Sequence, residues 1–375
     1  MVAHRWLALV VLCVAVFIST VDTTVVNVAL PDIATDLDAT TADLQWVMDA
    51  YTIALAGLIL LGGGLADRFG RKRIFTIGLM LFALTSLLAT FADSPAELIA
   101  YRALMGTGAA LIMPPALSLI AVIFPPDQRR TALSVWSLIA GIGVAMGPVV
   151  GGLLLDNFWW GSAFLVNVPV ALVTIVGALL LLPESRRPGA PPLDVVGAVL
   201  SVLALGGLIY AIIEGPHTGW LDPEIVVALA GGVLLVVLFA WWELRQRDPL
   251  FDVRVLADGR VLAGFTTIFL FYVAFLGVEF LIPQYLQSVE DRTTLAAGLV
   301  MIPLGLGVVV CSPLTPRLIT RFGYRRILSG TLAGVGAAAA LLSLLADFGG
   351  PAIVMGGLLL LGVALGFGFP PSTAV

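Results

Sequence analysis

Twelve stretches of about 20 largely apolar residues, each long enough to cross a hydrocarbon core of about 30 Å as a helix, take up most of the chain. They lie near residues 6–30, 45–65, 74–92, 97–123, 131–155, 163–182, 194–213, 224–242, 260–285, 295–316, 326–346 and 352–375. Composition agrees, since 60% of the 375 residues are hydrophobic and 11% charged, a balance no soluble domain shows. The 40 glycines suit helices that approach closely in lipid. The expected fold class is an all-α membrane protein with the lipid bilayer as its surroundings. The first span resembles a signal peptide in position, but it is long, contains Asp22 and lacks a small-residue cleavage site, so it reads as retained. No basic cluster of the kind that binds nucleic acid is present. Cys13 and Cys311 both fall in apolar runs, which offers neither a disulfide framework nor a zinc site.

The cations set the expected orientation, because Lys and Arg remain cytoplasmic during insertion. Arg5, the group Arg68, Arg71, Lys72 and Arg73, then Arg129 and Arg130, Arg186 and Arg187, Arg245, Arg247, Arg254 and Arg260, and Arg317, Arg321, Arg325 and Arg326 fall in alternate loops, 17 of the 19 Lys and Arg. The opposite loops are mainly acidic, with Arg292 their lone cation. The N-terminus and the loops at 66–73, 124–130, 183–192, 243–259 and 317–325 are therefore expected in the cytoplasm, in a multi-pass protein of the cytoplasmic membrane. Trp46, Trp159, Trp160, Trp220, Trp241 and Trp242 mark span ends, where amphipathic rings sit best.

An internal repeat indicates architecture. Arg68-Phe69-Gly70-Arg71-Lys72-Arg73-Ile74 recurs as Arg321-Phe322-Gly323-Tyr324-Arg325-Arg326-Ile327, each between two spans, as internal duplication in transporters predicts. Eight spans separate the copies where a six-plus-six duplication would place six, so two are read as inserted, at 194–242, after the linker Pro188 to Pro192. The expected domains are a six-helix bundle over 1–187, the linker with two inserted helices and a cytoplasmic loop over 188–259, and four helices of a second bundle over 260–375. The chain then ends two spans short of a fourteen-span duplication, as a fragment would.

Here the residues resemble the major facilitator superfamily, and within it the fourteen-span drug:proton antiporter branch. The resemblance runs from Val21-Asp22-Thr23-Thr24-Val25-Val26-Asn27-Val28-Ala29-Leu30-Pro31 to the last span. Gly63-Gly64-Leu65-Ala66-Asp67-Arg68-Phe69-Gly70-Arg71-Lys72-Arg73 is similar to the superfamily's loop between spans two and three, and Tyr101-Arg102-Ala103-Leu104-Met105-Gly106-Thr107-Gly108 with Pro114 to its fourth-span motif. Gly143-Val144-Ala145-Met146-Gly147-Pro148-Val149-Val150-Gly151-Gly152 resembles the fifth-span motif that separates exporters from importers. Phe164-Leu165-Val166-Asn167-Val168-Pro169 and Leu193-Asp194-Val195-Val196-Gly197 match further patterns of the branch. One departure stands out: Trp160 is followed by Gly161 and Ser162 where the family usually has an arginine. The resemblance implies two pseudo-symmetric bundles working by alternating access and exporting small hydrophobic or cationic compounds as a monomer. It needs no cofactor beyond the proton gradient. It also implies that Asn27 belongs with the coupling residues, that Gly63, Asp67, Arg68, Gly70 and Arg71 form a cytoplasmic latch, and that the fifth-span motif is a gating hinge.

Residue chemistry gives each motif a plainer reading too. Gly143, Gly147 and Gly151 share one helix face, which suits ordinary small-residue packing as well as a hinge at Pro148, where a backbone bond is lost. Asp67 would serve as a simple cap, yet its counterpart in the second copy is Thr320, and asymmetry at a duplicated position favours a role for one half. Charge inside a span costs about 2.5 to 3.5 kcal/mol even on lenient scales, and Asp22, Arg102 and Glu279 are the clearly internal ones. Asp22 lies 16 residues past Trp6, or about 24 Å of helix, and the other two are expected at similar depth. A carboxylate there can load a proton outside and release it inside, and Arg102 can lower a neighbouring acid's affinity for its proton. A buried Asp22–Arg102 ion pair, or an acid reaching to the interface, are the plainer alternatives.

Other classes fit less well. A solute importer would line several spans with polar groups, and few are present. An enzyme would need a convergent acid/base or metal set, but His4 and His217 are far apart in topology. A nucleotide loop of the Gly-x-x-x-x-Gly-Lys-Ser type is lacking. The alternative kept beside the exporter is a transporter of one metabolite or lipid on the same fold.

Overall fold

The computed structural model describes residues 4–187, 189, 193–246, 249, 251–343 and 351–372. Pro188, Ala190, Pro191 and Pro192 of the expected linker, and Arg247 of the expected cytoplasmic loop, lie outside the described residues. The described chain folds into helices α1 (Arg5–Asp36), α2 (Thr41–Phe69), α3 (Arg71–Ala89), α4 (Pro95–Ile123), α5 (Pro126–Leu155), the one-turn α6 (Ser162–Leu165), α7 (Asn167–Leu181), α8 (Val195–Thr218) and α9 (Pro223–Arg245). It continues with α10 (Gly259–Ser288), α11 (Thr294–Cys311), α12 (Thr315–Phe322), α13 (Tyr324–Ser343) and α14 (Pro351–Ser372). Among the described residues eleven helical segments, counting α6 with α7 as Ser162–Leu181 and α11 with the turn after it as Thr294–Leu314, are long and apolar enough to cross a membrane, and the twelfth expected span is α14, whose apolar stretch Ala352–Gly368 is shorter.

Helix ends follow local chemistry. Thr40 and Asp43 form a reciprocal capping box at the start of α2, while Ser94 caps α4 and Asp222 caps α9, each followed by a proline at the first helical position, where its missing N–H costs nothing. The tenth expected span, 295–316, is not one helix. α11 stops at Cys311, Ser312–Leu314 form a single 3₁₀ turn, and α12 restarts at Thr315, because Pro313 has no N–H to continue the ladder.

Helix contacts group the chain into two compact units: Met1–Ser19, Asp32–Ser137 and Trp160–Val253 form one, and Thr20–Pro31, Leu138–Trp159 and Arg254–Val375 the other. In the first unit α2, α3 and α4 meet through glycine. A Cβ on Gly106 would strike the carbonyl of Tyr51, one on Gly62 that of Ala110, and one on Gly78 would lie 2.8 Å from Gly108 O, so backbones touch at all three crossings. The helix pair read as inserted docks on α2 through α8, where Ser201 Oγ donates to Gly57 O at 3.2 Å and Trp46 Nε1 donates to Glu214 at 3.2 Å. Helix α9 packs on α8 and leaves Val227 and Leu221 beside it 70% and 91% exposed, the kind of apolar surface lipid would cover.

The second unit is built around Phe271, Leu286, Met301, Leu304, Leu358 and Leu365, all buried. There α11 crosses α14 closely, and a Cβ on Gly362 would strike the Leu304 carbonyl.

Candidate functional site

In the second unit the middle of α1 carries Asp22 and Asn27, 0% and 2% exposed, and α10 carries Glu279, 2% exposed. Asn27 Nδ2 donates to the Thr23 carbonyl one turn back at 3.1 Å. Glu279 Oε2 is buried and has no hydrogen-bond partner among the described residues. A buried polar atom left unmatched costs about 1 to 3 kcal/mol and calls for an explanation in function.

The glycine face of α5 packs on the segment of α1 that holds these residues. Gly147 has only a hydrogen where a Cβ would collide with Thr24 Oγ1, and a Cβ on Gly151 would just touch Val25 and Val28 at 3.4 Å. Thr24 turns its hydroxyl back onto the carbonyls of Thr20 and Val21. Other sides of α5 meet α11: a Cβ on Gly152 would stand 2.6 Å from Leu295 Cα, and one on Gly298 would strike the Pro148 carbonyl. Gly143 is buried, and α5 runs unbroken through Pro148. Gln287 Nε2 donates to Val28 O at 3.2 Å, and Leu295 N to Asp156 Oδ1 at 3.2 Å, which ties α1, α5, α10 and α11 together at this end.

In the first unit Arg102 of α4 is fully buried. Its Nε donates to Val47 O at 3.0 Å, its guanidinium lies 4.4 Å from the Tyr51 ring centre and 6.0 Å from that of Phe164. Gly106, one turn on, lets α4 approach Tyr51 this closely. Rings and a carbonyl thus hold a charge that the bilayer interior would otherwise penalise.

The turn between α2 and α3 is a closed structure. Asp67 Oδ1 accepts from Arg71 Nε at 3.0 Å and Nη2 at 2.7 Å, and Gly70 supplies φ +118°, a conformation that a side chain would strain. The end of α7 and the segment leaving it join the turn: Arg71 N donates to Ser185 O at 2.9 Å, Arg187 N to Asp67 O at 2.9 Å, and Lys72 Nζ to Leu179 O at 2.6 Å. Gly63 and Gly64 carry the helix past Pro114 and Leu193, and Arg68 stacks on Phe69. In the second copy Thr320 Oγ1 donates to Arg317 O of its own helix at 2.8 Å.

Several partners were not visible in the sequence. Tyr51, Val47 and Phe164 have no pattern that announces an arginine cradle. Ser86 Oγ donates to Phe164 O at 2.8 Å and accepts from Asn167 Nδ2 at 3.1 Å, which gives the buried Asn167 of the quoted Phe164–Pro169 pattern its role in fixing α3 to α7. Where the family's arginine is missing, Trp160 Nε1 donates to Asp36 Oδ2 at 2.6 Å and its ring packs edge-on against Phe164. Asp49, half-buried on α2 near Tyr51, and Glu243, buried at the end of α9 with Phe251 N on its Oε2 at 3.3 Å, are further acids in or at spans.

Buried acids in one unit, a buried arginine in the other and glycine crossings within each, all on membrane-length helices, describe a polytopic helical membrane protein. Residues 12–375 match the Major Facilitator Superfamily. The chain belongs to that superfamily and has its fold. It is 41% identical over 344 residues to the puromycin resistance protein pur8 of Streptomyces alboniger, covering 91% of this chain and 68% of that one. It is 35% identical to the multidrug resistance protein Stp of Mycobacterium tuberculosis over 85% of this chain and 60% of that one. The methyl viologen resistance protein SmvA of Salmonella typhimurium is 34% identical over 88% and 67%. The chain thus spans 60 to 68% of these relatives' lengths. Among solved structures, a peptide transporter POT superimposes with TM-score 0.71 at 15% identity, over 97% of this chain and 80% of that one. A D-xylose-proton symporter does so with TM-score 0.67 at 15% identity.

Proposed function

We propose that the protein is a proton-coupled antiporter of the fourteen-span branch that exports small hydrophobic or cationic compounds across the cytoplasmic membrane, N-terminus inside. The observation that carries this reading is the pair of enclosed carboxylates, Asp22 and Glu279, in spans that contain almost no other charge. A buried carboxylate is costly unless a proton neutralises it or a cation pairs with it, so alternating access at such a group exchanges one for the other. Relatives named for resistance to puromycin, to several drugs and to methyl viologen support outward transport of chemically varied compounds.

In this scheme Asp22 carries the proton, Arg102 is a further coupling residue, Glu279 balances cationic cargo, and Asn27 lies a turn along from the coupling acid. The α5 face Gly143, Gly147, Gly151 and Gly152 with Pro148 moves against α1 and α11 as access alternates, and Gly63, Asp67, Arg68, Gly70 and Arg71 latch the cytoplasmic side. Proton-driven efflux in vesicles made from the full-length protein tests it. Asp22→Asn, nearly isosteric but unable to exchange a proton, is expected to abolish transport while insertion survives. Glu279→Gln is expected to reduce transport of cations more than of neutral compounds. Wild-type rate and pH dependence in Asp22→Asn would remove Asp22 from the mechanism.

A further inference from the structure

Between α12, α13 and α14, within the second unit, lies a cavity of about 300 Å³. Leu318, Gly330, Gly334, Val363 and Phe367 form its apolar wall, and Arg326 is the charged residue that lines it. We propose that it is a binding site for an anionic phospholipid, with acyl chain in the crevice and phosphate on Arg326.

The internal repeat shows how the crevice arises. Arg73-Ile74 corresponds to Arg326-Ile327, so Ile77 and Leu81 of α3 correspond to Gly330 and Gly334 of α13. Two bulky side chains of the first copy are absent from the second, and a Cβ on Gly330 would meet nothing within 4 Å. The opening is therefore written into the sequence at Gly330, while Gly334 on the same helix face lets α14 come close, a Cβ there standing 3.1 Å from Ala364 Cβ.

Charge identifies the occupant. In the first copy two of the four cations meet protein acceptors, Arg71 at Asp67, 2.7 Å, and Lys72 at the Leu179 carbonyl, 2.6 Å, while Arg68 and Arg73 are exposed. From Thr315 to Ser343 the second copy has no acidic residue at all. Arg317, Arg321, Arg325 and Arg326 are exposed, and among the described residues none makes an ion pair. Phe322 and Tyr324, 44% and 42% exposed, stand beside them, as aromatic rings do at headgroup level. A soluble anion would have no use for the apolar wall, and a neutral lipid none for the arginines; an anionic phospholipid uses both, as basic pockets between spans do. A further helix docking on α13 as α7 docks on α3 would meet the counterparts of Lys72 and Ser86, Arg325 and Ala339, on the opposite face, and would leave the crevice open.

The proposal rests on the cytoplasmic orientation given above, which labelling tests separately, and its readout is binding rather than transport. Full-length protein in detergent is titrated with phosphatidylglycerol or phosphatidylcholine and bound lipid is counted by native mass spectrometry. Wild type is expected to retain phosphatidylglycerol at least tenfold over phosphatidylcholine. Arg326→Gln is expected to cut that retention about fivefold, the share of one arginine at an anionic headgroup. Gly330→Ile, which restores the first copy's residue into open space, is expected to cut it similarly, and Arg73→Gln to leave it unchanged. Equal retention of the two lipids, or full retention in Gly330→Ile, overturns the proposal. A fluorophore on Leu359→Cys, at an exposed position on α14 next to the lining residue Leu360, should be quenched more by nitroxide-labelled phosphatidylglycerol than by nitroxide-labelled phosphatidylcholine added to the same micelles; equal quenching by the two, or none by either, would overturn the proposal too.

Discussion

Arg102 illustrates what a residue can and cannot reveal before folding. That it lies inside a span was legible, because an arginine five residues into an apolar run is expensive and therefore conspicuous. Its holders were not: Val47 and Tyr51 are about fifty positions away and are recruited only because Gly106 lets two backbones touch. Asp22 and Glu279 were legible for the same reason as Arg102, whereas Asp49 was passed over since it lies in the first turns of a span that begins with polar residues. The ring contact leads to a prediction. Tyr51→Phe keeps the aromatic face and should transport within about twofold of wild type, whereas Tyr51→Leu removes a desolvated cation–π contact of about 2 kcal/mol and should lose roughly 30-fold. Initial rates of proton-driven efflux across a pH series separate the cases: a positioning role shifts the pH profile of Tyr51→Leu, and equal losses in both variants would assign the effect to the hydroxyl instead.

Helices were the most legible elements, since a run of apolar residues longer than 18 has few other ways to satisfy its backbone in lipid. The span expected at 295–316 holds over Thr294–Leu314. Hydropathy does not show the change of hydrogen bonding inside it, where α11 ends at Cys311 and a 3₁₀ turn carries Pro313. Glycines pose the converse difficulty, because spacing places them on a face without saying what that face meets. The structure separates them, and one substitution should act with opposite signs at two sites. Gly298→Ala drives a methyl into the Pro148 carbonyl and should destabilise by about 1 to 3 kcal/mol as overpacking does. Gly206→Ala on α8 meets nothing within 4 Å and should stabilise by up to about 1 kcal/mol through helix propensity. Thermal unfolding of the purified protein reads both; a Gly298→Ala protein as stable as wild type would mean that α5 and α11 separate without cost.

At the scale of the molecule, the superfamily was legible from the loop and span motifs and from the repeat, whereas what each copy of the repeat packs against was not, because the copies differ at the positions that make contacts, Asp67 against Thr320 and Ile77 against Gly330. Orientation is the whole-molecule property on which transport direction and the lipid crevice both depend, and its basis is the placement of 17 of the 19 cations in alternate loops. Each cation on the wrong side works against the bias that sets insertion. The prediction is that Arg187→Cys and Arg254→Cys, at exposed positions on either side of the α8–α9 pair, stay unlabelled by a membrane-impermeant maleimide applied to intact cells and react once the cells are opened. Leu221→Cys, at a position 91% exposed between α8 and α9, should react at once from outside. Background from this chain is low, since Cys13 and Cys311 are buried, 6% and 8% exposed. An even number of crossings separates residue 187 from residue 254, so the two must agree whatever the sidedness. Labelling of both in intact cells, with Leu221→Cys silent, would invert the molecule; labelling of only one would mean that the α8–α9 pair does not cross the membrane as two spans.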